Sequence, residues 1–176
     1  MKFALLAIFS ASLLLTGCAA TVQKGSTAAP VKTAPGAARQ ITMNVVGPQK
    51  ITESKDWESF KGEWRSAMKN AAETIGAQFS MQEGKPRPTG EIGTLLVVNI
   101  NDYRYLTPGA RYGLGVMTGN AFIDSFVEYR DLKTGSLLAE RKFNTSSSAW
   151  QGIFSPMTDK QIQAIATEIT GELKGQ

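Results

Sequence analysis

The sequence predicts an α+β fold in two layers, with the order β-α-β-β-β-α: a four-stranded mixed or antiparallel sheet carrying two helices on one face. Three observations predict it. Trp57, Phe60, Trp64, Met68, Ala71, Ile75 and Phe79 recur every three or four positions, the period of a helix with one apolar side. Residues 94–105, 120–130 and 136–145 instead read as strands, whose successive side chains turn to opposite faces, and Asp131-Leu-Lys-Thr-Gly135 supplies a turn between the last two. Near the end, Ile162, Ile165, Ala166, Ile169 and Leu173 form a second helical stripe. Both stripes are buried at once if the two helices lie on the same face of the sheet.

Each element follows in order. Ile41, Met43 and Val45 alternate with polar neighbours from Gln40 onward, predicting a short half-buried strand that Gly47-Pro48 ends. A helix is expected over 55–79, with Ser54 as N-cap and Asp56 and Glu58 favourable in the first turn. Gly84-Lys-Pro-Arg-Pro-Thr-Gly90 reads as a loop. The strand over 94–105 turns Leu96, Val98 and Ile100 to one side and Leu95, Val97, Asn99, Asn101 and Tyr103 to the other. In the next strand Ala121, Ile123, Val127 and Tyr129 suit the core, while Phe122, Asp124, Phe126, Glu128 and Arg130 take the far face. Thr158-Asp-Lys-Gln161 reads as a capping box opening the last helix, which Gly171 weakens and Gly175 stops.

The start of the chain carries an address. Met1-Lys2 precedes an apolar run from Phe3 to Leu15, the layout of a secretory signal and too short to span a bilayer as a helix. At its end Leu15-Thr16-Gly17-Cys18 matches the bacterial lipobox Leu-(Ser/Thr/Ala)-(Gly/Ala)-Cys, and Cys18 is the only cysteine. The chain thus resembles a bacterial lipoprotein precursor: a signal peptide over 1–17, cut before Cys18, with Cys18 as the lipidation site. No thiol then remains for a disulfide. Ala19 is compatible with transport to the outer membrane, where an Asp would favour retention in the inner one. Residues 18–40 are expected to form a flexible tether, since Ala, Pro, Thr, Gly and Ser dominate and large apolar residues are almost absent. As a coil this stretch would span roughly 25 Å, and fully extended about 75 Å. A single globular domain is expected over 41–176.

Composition removes several chemistries. The chain has no histidine, so Ser-His-Asp, Cys-His and His-based zinc sites are excluded by inventory. No spacing points to a carboxylate pair, a Ser-Lys dyad or a metal; no catalytic residue, metal or cofactor is expected, and the chain reads as a non-enzyme. Lys and Arg total 19 against 15 Asp and Glu, scattered along the chain without a basic run. That distribution gives no reason to expect nucleic acid as a partner.

Three places are candidates for contact with a partner. The glycine-rich segment 108–119 holds Arg111, Tyr112, Leu114 and Met117. It lacks the dinucleotide spacing and a following helix, so it is no phosphate cradle. It either shapes a connection between strands or presents an apolar contact loop. Phe122 and Phe126 are to project from the far face of the sheet, beside Tyr103. Trp150 and Phe154, in the loop 146–155, either close the end of the core or stand out as anchors.

The run Ala110-Arg-Tyr-Gly-Leu-Gly-Val-Met-Thr-Gly-Asn-Ala-Phe-Ile123, followed by Asp131-Leu-Lys-Thr-Gly-Ser-Leu-Leu-Ala-Glu140, resembles a family of small bacterial lipoproteins, DUF4410. The resemblance covers about half the chain; it implies a strand, a glycine-rich stretch, two strands around the turn and a closing helix. It implies no catalytic residue. The expected function is a tethered protein-interaction module, anchored to the outer membrane on its periplasmic side by acyl chains and engaging an envelope protein in assembly or maintenance. The alternative is a lipoprotein that binds lipid, glycan or another small ligand.

Overall fold

The computed structural model describes residues 22–24, 30–105, 121–146 and 157–173. Cys18, the glycine-rich segment and the loop holding Trp150 and Phe154 lie outside the described residues. Six strands form one sheet: β1 (Val22–Lys24), β2 (Gln40–Val46), β3 (Gln78–Met81), β4 (Thr94–Arg104), β5 (Phe122–Asp131) and β6 (Leu137–Ser146). Among the described residues three α-helices accompany them: a single turn α1 (Gln49–Thr52), then α2 (Trp57–Thr74) and α3 (Met157–Leu173). The order across the sheet is β1-β6-β5-β4-β2-β3. β4, β5 and β6 form an antiparallel meander, and β2 runs parallel to both β4 and β3.

The expected α+β architecture is present, with two strands more than the four expected. One comes from the far end of the expected helix. Ile75 leaves helical geometry and Gly76 takes φ 74°. The N–H of Ala77 reaches the Ala72 carbonyl and that of Gly76 the Glu73 carbonyl, a Schellman stop. Phe79 therefore sits on β3, which pairs with β2 in parallel register, as a crossover through α2 permits. The other strand, β1, comes from the stretch expected to be a tether. Val22 pairs opposite Thr145 of β6 and packs against the core. Farther along, Val31 and Ala37 are buried, and the Ala37 carbonyl accepts from Thr94 Oγ1 at 3.1 Å. The boundary expected at residue 40 thus moves: residues 22–24 and 30–40 belong to the folded unit, because a few apolar side chains and main-chain pairing suffice where the rest of the sheet is already formed.

Helix starts also differ from expectation. Asp56 occupies the N-cap position of α2 without a side-chain cap bond, and the Ser54 hydroxyl is turned to the Tyr103 phenol at 2.7 Å. In α3, Thr158 lies within the helix, and the Gln161 amide donates to the Ala121 carbonyl at 3.0 Å instead of reaching back to the helix start. Partners distant in the chain claim both side chains before the caps can.

One main core lies between the helices and one face of the sheet. Phe60, Trp64 and Met68 of α2 and Ile162, Ile165 and Ile169 of α3 meet Met43, Leu96, Val98, Ile100, Ile123, Val127 and Phe143. Tyr129, also in this core, donates from its hydroxyl to the Ile169 carbonyl at 3.4 Å. Its ionisation is pushed upward by burial and by the nearby Glu172 carboxylate, against a smaller opposing effect of Arg141.

Candidate interaction surfaces

The far face of the sheet, opposite the helices, divides in two. Over β2 and the start of β4 it is covered by residues 82–93. Asn44, fully buried on β2, donates from Nδ2 to the carbonyls of Gln82 and Gly84 at 3.0 and 3.1 Å. The Gln82 side chain closes the loop by donating to the Arg87 carbonyl and accepting the Arg87 N–H. Thr89 N–H reaches the Leu132 carbonyl, and Leu132 N–H the Gly93 carbonyl. Beneath, Leu95, Val97 and Leu132 form a second small buried cluster with Val46 packed against it. β2 is therefore buried on both faces, not half-buried as its alternation suggested: Thr42 and Asn44 are enclosed with Ile41 and Met43.

A cleft of about 370 Å³ remains where this loop meets the open sheet. Val46, Leu95 and Val97 contribute to its lining together with Pro86 and Pro88, and Asn99, Glu128 and Arg130 add polar groups. Arg130 is held in place, donating to Glu128 at 2.6 Å and to the Gly135 carbonyl at 2.8 Å.

The other half of the far face carries Phe122 and Phe126, both half-buried, as expected. Phe126 stands opposite Asn99 of β4 and Lys142 of β6. The Arg104 guanidinium lies 5.7 Å from the centre of the Phe122 ring, within cation–π range. Lys142 Nζ is 3.9 Å from Asp124.

Tyr103 does not join them. The β4–β5 register shifts between Ile100 and Asp102, so that Asp102 faces Asp124 and Tyr103 faces the core residue Ile123. A bulge of this kind turns every later side chain to the opposite face. Tyr103 instead stacks on Phe60 of α2 with ring centres 4.1 Å apart and planes inclined by 17°. Trp57 and Tyr105 complete the aromatic group. Tyr105 donates to Glu63 Oε1 at 2.5 Å, while Glu63 Oε2 is buried without a partner.

Burial raises the Glu63 pKa above its ordinary 4.5, the Tyr105 hydrogen bond opposes this, and the Asp159 charge adds to it. The Tyr105 phenol is pushed up by burial and by the Glu63 carboxylate it serves. Tyr103 is raised by burial, with its Ser54 hydrogen bond acting the other way. Among the described residues no three His, Cys, Asp or Glu side chains gather to hold a metal, and no helix is long and apolar enough to cross a membrane.

The structure thus places Phe122 and Phe126 on the same face of β5, with Asp124 between them. Arg111, Tyr112, Leu114, Met117, Trp150, Phe154 and Cys18 lie outside the described residues. Sequence reasoning missed the Glu63–Tyr105 pair and the Glu128–Arg130 cleft, and neither has a local signal: the first needs the bulge, the second the fold-over of residues 82–93.

No family model matches the chain, and no curated protein matches it. Solved structures do resemble it. The PelC dodecamer from Paraburkholderia phytofirmans superposes with a TM-score of 0.53 at 13% identity, covering 89% of this chain and 98% of that one. A single-substitution variant of the same dodecamer gives 0.51 at 15% identity with the same coverage. A Xanthomonas campestris protein of the DUF330 family gives 0.46 at 12% identity, covering 80% of this chain and 88% of its own. The PelC likeness shows a shared fold.

Proposed function

We propose that this chain is a lipoprotein of the bacterial outer membrane, acylated on Cys18, whose domain is a non-enzymatic interaction module in envelope assembly or maintenance and assembles with further copies of itself. The observation that carries this is Leu15-Thr16-Gly17-Cys18 behind a signal-type apolar run, with no second cysteine. Acyl burial at about 0.8 kcal/mol per methylene, over more than one chain, makes such an anchor lasting. Confinement to a surface then raises the local concentration of copies, so weak contacts between them suffice. Ala19 supports outer-membrane placement, and the resemblance to DUF4410 fits a lipoprotein without catalytic residues.

Self-assembly draws on two observations. PelC, which shares the fold, forms a dodecamer. The strands at the two margins of this sheet, β1 and β3, lie on opposite sides of the domain, the arrangement that head-to-tail contacts need; such contacts form a closed ring when the rotation between copies closes. The cleft beside Arg130 favours a second reading, a lipoprotein that binds a small ligand on its far sheet face.

Two measurements test the proposal. Replacing Cys18→Ala should move the protein from the membrane to the soluble fraction with its circular dichroism unchanged; membrane retention would contradict acyl anchoring. Native mass spectrometry of the detergent-extracted wild type should show oligomers, and a monomer at all concentrations would contradict assembly.

A further inference from the structure

We infer that the acyl anchor holds the domain close to the bilayer in one orientation, with the end of the sheet where β1 begins, β4 leaves and β5 enters turned toward the lipid surface. This rests on the lipidation reading above and goes beyond it, from an attachment point to the face that meets the membrane.

Three observations carry it. First, only residues 19–21 separate Cys18 from Val22, and four residue steps reach at most about 14 Å. The expected leash of about 75 Å is therefore not available once β1 is paired. Second, β1 is antiparallel to β6, with Val22 opposite Thr145 and Lys24 opposite Phe143. β1 consequently begins at the end of the sheet where β6 finishes. That is the end at which Arg104 closes β4 and Phe122 opens β5. Third, the strand is seated by its side chain as well as its backbone: Val22 packs on the main core, and the chain that follows is buried again at Val31. A load on Cys18 is thus carried by the sheet itself.

The opposite end, the turn at Lys133, lies ten strand residues away along β5, about 30 Å. Arg104 and Lys133 are both exposed and mark the two ends. Arg104→Cys and Lys133→Cys are made separately in the full-length chain, which is lipidated and reconstituted into phosphatidylcholine vesicles. Acylation converts the Cys18 sulfur to a thioether, so a maleimide fluorophore labels only the new thiol. Vesicles doped with a headgroup-spin-labelled phosphatidylcholine then report proximity by quenching.

Quenching at residue 104 should exceed that at residue 133 by about threefold or more, given their separation of about 30 Å along the strands. Inserting about 20 Gly/Ser residues between Ala19 and Ala20, a coil spanning roughly 25 Å, should bring the two values together. Equal quenching in the uninterrupted protein, or a ratio unmoved by the insertion, would overturn the orientation. Intact mass of the same preparation separates the two ideas: an acylated protein with equal quenching sinks the orientation alone, and an unacylated one sinks the lipidation on which it rests.

Discussion

Where β5 turns into β6, Asp131 Oδ1 accepts the backbone N–H groups of Lys133 and Thr134, both at 2.8 Å, and Gly135 supplies a φ of 79°. Every partner is within a few residues of the next. At the other end of the same sheet, Phe60 lies beneath Tyr103, Ser54 meets the Tyr103 hydroxyl, and Tyr105 reaches Glu63, contacts made across 40 residues or more. One end is built from local turn chemistry and the other from tertiary packing onto α2. The first tolerates little change in backbone; the second depends on ring volume and on burial of a carboxyl group. β1 begins at the second.

Removing a ring at the tertiary end should have the largest effect. Phe60→Ala deletes a fully buried side chain stacked on Tyr103 and should cost about 3–5 kcal/mol in urea unfolding. A loss below about 1 kcal/mol, the size of an ordinary substitution, would show that the aromatic group does not hold that end. Next comes Gly93→Ala near the turn. Its Cβ would stand 2.7 Å from Leu132 Cδ2 and 2.8 Å from the Gln40 carbonyl oxygen, and backbone on one side leaves little room to yield. About 1–3 kcal/mol is expected. Gly135→Ala should cost about 1–2 kcal/mol through its left-handed backbone alone, since its new methyl meets Pro88 at an ordinary 3.5 Å. If Gly135→Ala proved costlier than Phe60→Ala, the ranking of the two ends would be reversed.

The smallest effect separates the ends by pH. At the tertiary end the Glu63 pKa is raised in the folded state, chiefly by burial. Its contribution to stability is therefore complete below 4.5 and is lost as pH rises through the folded value. At the turn end Asp131 is lowered, chiefly by the Thr134 backbone hydrogen bond. Its contribution is present above 3.8 and is lost as pH falls through the folded value. Thermal melts of the wild type should show a decline above pH 4.5 that Glu63→Gln lacks, and an acid-side loss that Asp131→Asn lacks. A wild-type minus Glu63→Gln difference independent of pH would remove Glu63 as a titrating group.

The same division explains what could be read from the sequence. The Asp131–Gly135 turn, the strands on either side of it and the two apolar helix stripes were legible because their signals lie within a few residues of one another. Phe122 and Phe126 fell on the far face as their even spacing required. Tyr103 was misplaced because the bulge after Ile100 leaves no mark in composition. Phe79 continues the apolar period of α2 but lies beyond its stop at Gly76, and a glycine after an apolar periodic run is the local signal for that stop. β1 was hidden by poor composition: Val22-Gln-Lys24 becomes a strand only against a completed β6. The covered half of the far face was unreadable for a related reason, since the fold-over of residues 82–93 is set by Asn44, far from it in the chain.

Metabolic labelling with palmitate, comparing the wild type with Cys18→Ala, tests the anchoring on which the functional reading depends. The wild type should incorporate label and the Cys18→Ala variant none. An unlabelled wild type, or label that survives loss of Cys18, would contradict it.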